Sequence, residues 1–355
     1  MPMVFPTSPI VGQVFTSGGR SWVWTGSTWD SPASDNPPLA IPTGNAIING
    51  AFDIWQRGTS FTTGGSGTLT FSADRWIYFN YGTNTGSCTQ QTFTPGTAPV
   101  AGYEGSFFAR FNSTSTTNFF QHRVEDVRTL AGQTATLSFF AKSASAQTLS
   151  VYVNQNFGSG GSSQVSIANT VSLTTSWARY TITVSMASLA GKTIGTSNFV
   201  GLEFVGAANN AIDIWGVQLE AGAVATPFKR NAPSIQAELA ACQRYYEKSY
   251  SVDVAPGTVG GSGSIYQGVS SDAYANGTYT INFQVTKRVT PSLAVWSIGG
   301  VANVWTYHRN GVGDTNTGVT WTSWPGTRGG MAFVAVGAVH VTCTIWGHWA
   351  ASAEL

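Results

Sequence analysis

Between residues 134 and 220, apolar side chains recur at every second position in short runs. The runs are Leu137/Phe139, Leu149/Val151/Val153, Tyr180/Ile182/Val184 and Val200/Leu202/Phe204, each with hydroxyl or other polar residues between. A period of two belongs to a strand with one buried face, and no helix can satisfy it. Turn-forming clusters such as Gly158-Ser159-Gly160-Gly161-Ser162-Ser163 separate the runs, and no amphipathic helical stretch interrupts residues 45 to 228. Many short strands with polar turns imply an antiparallel sandwich. In Ile212 to Leu219 the apolar phase shifts from even to odd numbers, which predicts a one-residue bulge at Trp215-Gly216.

Composition narrows the surface of such a protein. Only 9% of residues are charged and 41 are glycine, against about 25% charged in an ordinary soluble domain. The polar surface is therefore hydroxyl and amide. A net charge of +1 supplies no field for nucleic acid or an anionic membrane. The basic residues are scattered, with Lys229-Arg230 and Lys287-Arg288 the tightest pairs. Few charges together with 13% aromatic residues predict an oligomer within a larger assembly. No apolar run is long enough to span a bilayer as a helix, so no membrane insertion is expected, and the first residues lack the features of a secretion signal. Cys88, Cys242 and Cys343 lie far apart and read as buried free thiols of a reducing cytoplasm.

The length suits two compact domains with an extra segment. Residues 1–44 carry a hairpin signal, Val14-Phe15-Thr16 and Ser21-Trp22-Val23-Trp24 around Ser17-Gly18-Gly19-Arg20. Trp22, Trp24 and Trp29 crowd a segment too short for a core of its own, which predicts burial against another chain. The proline-rich stretch from Ser31 to Pro42 reads as a linker. One helix is expected, from Ser234 to Tyr250, started by Pro233-Ser234 with Glu238 near its positive end. Ile235, Leu239, Cys242 and Tyr246 would form one stripe, serving either an inter-chain seam or docking onto the preceding sandwich. The last hundred residues read as a second, smaller β domain, another sandwich. In it Trp305, Tyr307, Trp321, Trp324 and Arg328 lie in Gly/Asn/Thr-rich sequence, read as loops whose flat rings stack on a ligand.

Catalytic chemistry finds little purchase. His340 and His348 share a strand face about 26 Å apart and cannot hold one ion; no metal is expected. A structural calcium ion could use Asp53 or Asp213 together with carbonyls. A glycoside hydrolase needs two carboxylates about 5 to 9 Å apart. Glu125 and Asp126 are adjacent, so on a strand they face opposite ways. No GxSxG nucleophile, no GxxxxGK[ST] phosphate loop and no β-helix repeat is present. Trp55, Trp76, Trp177 and Trp215 read as core. Asp74 and Arg75 read as a hydrogen-bonded pair locking a loop, a role also given to Arg57. The expectation is a protein that is not an enzyme and needs no cofactor.

Four motifs occur in order: NAIINGAFDIWQRG (Asn45 to Gly58), SADRW (Ser72 to Trp76), TLSFFAKS (Thr136 to Ser143) and WGVQLEAG (Trp215 to Gly222). A Pro-bearing bend then leads to the helix. The set resembles the jelly-roll domains, of the carbohydrate-binding-module type, found in bacteriophage tail fibres and related appendages. VGQVFTSGGRSWVWTGSTWD is similar to N-terminal segments that dock such proteins to the particle. The resemblance covers roughly residues 45 to 250. It implies an all-β virion protein made in the host cytoplasm: an anchoring segment (1–44), a jelly roll (45–230), a connecting helix (231–252) and a distal β domain (253–355). The implied function is that of a homotrimeric tail fibre contacting a host surface glycan or protein. Trp22, Trp24 and Trp29 would face other virion proteins, and the Ile235 to Tyr246 stripe the trimer seam. A head fibre or capsid decoration protein is the alternative within the class, and a carbohydrate-active enzyme the alternative outside it.

Overall fold

The computed structural model describes the chain apart from residues 1–4, 12, 18–19, 25, 31–43, 65–66, 68, 82–83, 101–102, 270–274, 310–312 and 337–342. It divides into two compact units, Met1–Thr43 and Gly44–Leu355. In the first, β1 (Val14–Ser17), β2 (Arg20–Trp24) and β3 (Trp29–Asp30) form an antiparallel meander. Phe5 stacks on Trp29 at 5.3 Å and meets Phe15 and Trp22, while Trp24 meets Trp29 at 5.6 Å. Short as it is, the segment gathers five rings of its own. The three indoles are half-buried.

The second unit begins with twelve strands. They are β4 (Ser60–Gly64), β5 (Leu69–Phe71), β6 (Trp76–Phe79), β7 (Thr85–Thr92), β8 (Phe107–Ser113) and β9 (Phe119–Glu125), followed by β10 (Thr134–Ser143), β11 (Gln147–Asn156), β12 (Val165–Leu173), β13 (Ala178–Ser185), β14 (Phe199–Val205) and β15 (Ile212–Ala221). They build two six-stranded sheets, β13-β10-β15-β8-β7-β4 and β12-β11-β14-β9-β6-β5. The alternating residues meet between them: Leu137, Phe139, Val151, Val153, Leu202 and Phe204 pack with Phe52, Trp76 and Phe120. The predicted bulge is present. Ser138 pairs with Gln218 but Phe140 with Trp215, leaving one extra residue on β15. Gly216 takes it up at φ +63°, in the left-handed region that favours glycine.

Three of the four motifs meet at one end of this core. The Asn45 side chain donates to Val217 O (2.9 Å) and accepts from Leu219 N (3.0 Å), and Gly50 O accepts from Val217 N (2.9 Å). Asn49 Nδ2 donates to Asp74 O, and the Trp76 indole donates to Asn49 O. Asp74 and Arg75 do not pair with each other, contrary to expectation. Arg75 has φ +72°, and the two side chains make separate contacts. Asp74 accepts from the Gln56 backbone and amide, with Arg57 at 3.9 Å, whereas Arg75 reaches Glu354 and Arg123 O.

Helix α1 (Ile235–Gln243) is capped by the Ser234 hydroxyl, which accepts from Ala237 N. It ends earlier than expected, because Tyr246–Lys248 form β16 and pair with Ser352 to Ala350. Strand pairing wins over a helical pattern too short to stand alone. The stripe is consequently split: Ile235 is 47% exposed, Leu239 half-buried, Cys242 buried, and Tyr246 buried in a strand. The helix instead docks through Glu238, whose carboxylate accepts from Asn49 N (2.5 Å) and Ala232 N (2.8 Å).

The remaining strands are β17 (Ile265–Val269), β18 (Ala275–Asn282), β19 (Ser292–Trp296), β20 (Val304–Arg309), β21 (Gly313–Gly326), β22 (Gly329–Val336) and β23 (Cys343–Ser352). With β16 they form one hydrogen-bonded network of eight strands, the further β structure expected at the C-terminal end. Strand β23 is its spine, pairing with β16, β17, β19 and β20.

This sheet joins the sandwich through buried polar contacts. Arg57 and Arg75 converge on Glu354. Lys248 donates across to the carbonyl of Gln56; on the C-terminal side it also reaches the carbonyls of Val252 and Val254, and Lys287 pairs there with Glu247. Burial lowers the Lys248 ammonium to about 8. In a chain this poor in charge, many of the ions are spent on one seam.

Candidate functional site

The distal residues singled out from sequence do not form a loop cluster. Trp305 is fully buried in the core of the C-terminal sheet, its indole donating to His348 O (2.9 Å), and Tyr307 packs half-buried against that core. Both belong to strand β20. Gly347 makes the room, since a Cβ there would lie 2.0 Å from the Trp305 ring. Trp321 and Trp324 lie on strand β21, and their side chains fall outside the described residues. Arg328 is exposed in the turn between β21 and β22. The Gly/Thr-rich composition read as loop is that of a sheet. Nor are the two candidate calcium ligands free: Asp53 accepts from Arg230 Nε (2.8 Å), and Asp213 is bonded by Arg110 and faces Lys142. Among the described residues no group of three metal-ligating side chains gathers.

The two outer faces of the sandwich differ. The face of the β10/β15 sheet is roofed by its own chain. Phe93, Tyr103 and Phe228 from flanking segments pack on Phe108, Phe140 and Trp215, and Thr226 ties down Gln218 and Glu220. Among the described residues the face of the β11/β14/β9 sheet carries no such aromatic roof, and its side chains run in rows across the strands, Tyr152, Glu203 and Arg123 half-buried and Gln121 and Asn154 buried among them.

One row reads Ala168, Tyr152, Glu203, Gln121, and the next Ser166, Asn154, Gly201, Arg123. A third brings Phe119, Phe79 and Leu69 together. Residues one row apart stand about 6.7 Å from each other and neighbouring strands about 4.8 Å. Polar groups link across four strands. Arg123 Nε donates to Gln121 Oε1 (2.7 Å), Gln121 Nε2 to Glu203 Oε1 (2.6 Å), and Ser166 Oγ to Asn154 Oδ1 (2.6 Å); Asn154 also bonds Glu203. Burial raises the Glu203 carboxyl above its ordinary value, while Gln121 and Asn154 pull it back. Beside this ladder, Phe79 stacks on Phe119 at 4.9 Å, and Tyr81, 52% exposed, stands edge-on to Phe79 at 4.6 Å. One end of the face is closed: Arg123 donates to Leu355 O (2.6 Å) and covers the Phe199 ring.

Chemically, this is a floor of fixed donors and acceptors beside flat apolar rings, which suits a ligand with hydroxyl edges and C–H faces. Glu203 is the carboxylate of the ladder. Glu125, two positions beyond Arg123 on β9, is claimed by Arg244 (2.9 Å to each oxygen) and the Tyr245 hydroxyl (2.7 Å).

No protein-family model matches the chain, and no curated protein matches it. Among solved structures it shows partial likeness to the CBM22-1 xylan-binding domain of Xyn10C from Paenibacillus barcinonensis, with 12% identity over 46% of this chain and 100% of that one and a TM-score of 0.31. The family 11 carbohydrate-binding module from Clostridium thermocellum gives 14%, 46%, 99% and 0.28 in the same order. The enzymatically active domain of tailspike protein 4 of bacteriophage CBA120 gives 15%, 51% and 0.31, with only 22% of that chain covered. Likenesses at these scores carry no argument about a ligand.

Proposed function

We propose that this protein is a non-catalytic, glycan-binding component of a bacteriophage appendage, a trimeric tail fibre, and that the open sandwich face is its binding surface. The observation that carries the reading is the asymmetry of the two faces. One is largely roofed by the chain itself, and the other carries the Arg123–Gln121–Glu203–Asn154–Ser166 ladder, its Gln121 and Asn154 buried as supports, beside the half-buried or exposed Tyr152, Phe119, Phe79 and Tyr81. Hydrogen-bonding groups held by a rigid sheet are pre-organised for a polar ligand. The virion setting is supported by the ordered motifs and by the low charge.

The test is binding of the purified protein to immobilised lipopolysaccharide and capsular polysaccharide from candidate hosts. Tyr152→Ala and Glu203→Gln should each weaken binding by about tenfold with the melting temperature unchanged. Binding indifferent to both changes would refute the site. Light scattering should give three times 37.5 kDa, and a monomer would refute the trimer. Immunogold labelling of particles should mark the tail; labelled heads would favour the head-fibre or decoration reading.

A further inference from the structure

On the roofed sheet, the roof leaves one corner open: a pocket of about 300 Å³ at the ends of β8, β10 and β15. Asp213 on β15 stands between Arg110 on β8 and Lys142 on β10, in register with both. The carboxylate lies underneath, with only 5% of its side chain exposed, while Arg110 is 43% and Lys142 31% exposed. Arg110 spends Nε (2.6 Å) and Nη2 (2.9 Å) on Asp213. Lys142 lies farther away at 3.6 Å and is steadied 5.5 Å over the Trp177 ring. Two cations thus face one buried carboxylate, leaving a surplus positive charge directed at the opening. Thr175, exposed, lines the rim.

We infer that this pocket binds an oxyanion carried on a saccharide, either the carboxylate of a uronic acid or a phosphate ester. Lys142 and the outer edge of Arg110 hold the oxyanion, and Thr175 meets a sugar hydroxyl. Charge-assisted bonds to such groups are the strong ones, and a pocket of this size admits about one sugar ring. The site is on the opposite sheet from the open face and rests on a separate observation.

Titration calorimetry of the full chain at low salt tests it with four probes: glucuronate, glucose 1-phosphate, glucose and inorganic phosphate. One or both of the acidic sugars should bind, glucose should not, and added salt should weaken the binding. The comparison of glucuronate with glucose 1-phosphate decides between carboxylate and phosphate. Lys142→Met should reduce affinity about tenfold and Lys142→Arg restore it, with Lys142→Gln as the substitute should the methionine variant not fold. Lys192→Met, an exposed cation outside both this pocket and the open face, should change nothing. Glucose binding as well as the acids, inorganic phosphate binding as tightly as either, full affinity in Lys142→Met, or no binding by any probe would each overturn the assignment.

Discussion

Arg57 and Glu354, 297 residues apart in the chain, meet at 2.9 Å where the sandwich joins the C-terminal sheet. Arg75 shares the same carboxylate. The Arg57 guanidinium lies 3.6 Å over the Tyr246 ring and that of Arg75 3.5 Å over Tyr245. Burial pushes the Arg75 guanidinium down to about 10. Two desolvated cations share this acid, Arg57 having Asp74 at 3.9 Å as a second, so the seam ties the two β regions together.

Glu354→Gln should therefore destabilise the protein by about 3 kcal/mol, because it strands the buried Arg75 and leaves Arg57 with Asp74 alone. Calorimetry should show residues 44–355 melting in one transition in the parent chain. Two resolved transitions for this unit, or a variant with unaltered stability, would contradict the coupling.

Stability should fall as the solution is acidified below pH 6.5. Burial, with the Arg75 charge adding to it, holds the His122 imidazole well below its ordinary 6.5, and burial also lowers His348. The unfolded chain takes up protons there that the folded chain refuses, so unfolding gains from each drop in pH, while above 6.5 the effect is absent. The buried carboxyls of Asp74 and Glu238, raised by desolvation, act in the opposite sense nearer their own ordinary values of 3.8 and 4.5. Melting temperatures from pH 7.5 to 5.5 should decline, and His122→Gln should flatten the decline. An equally steep decline in the variant would sink the assignment.

Gly216→Ala should cost about 2 kcal/mol, because the new Cβ combines a left-handed backbone with a 3.1 Å approach to the Phe140 ring. Gly67→Ala, at φ +73° with nothing within 4 Å, should cost about 1 kcal/mol from the backbone alone. Equal losses in urea titrations would show that the bulge does not press on the aromatic roof.

Phe119→Ala should weaken glycan binding without unfolding the sandwich. Its ring stacks on Phe79 on the outer side of the sheet and is only half-buried. A stability loss of about 1 kcal/mol, against about 4 kcal/mol for the core neighbour Phe120→Ala, would separate platform from core. Similar losses for the two would place Phe119 in the packing instead.

Much of the sandwich is legible in the sequence because its cause is local. The alternation at Leu137/Phe139 and Val151/Val153 is the core itself, and the phase shift near Trp215 is the bulge. The early end of the helix is not legible, since Tyr246–Lys248 answer to a partner strand about a hundred residues away. Trp305 and Tyr307 do alternate, yet glycines and threonines around them mimic loop chemistry. The open face is hidden for a different reason. Gln121 and Glu203 are 82 residues apart, and only strand register sets them side by side. Even then, which outer face stays bare depends on where Phe93, Tyr103 and Phe228 fold back.

Along β11, β14 and β9, the residues that face the core and those on the outer side of the sheet are interleaved one for one. Val151, Val153, Leu202, Phe204 and Phe120 point inward, and Tyr152, Asn154, Glu203 and Gln121 stand between or beside them. On the proposed reading, recognition would be written on rigid strands, not on loops, in letters separate from those that face the core. A library randomised at the outward positions alone would be a scaffold for new binding specificities, with the hydrophobic lettering left intact.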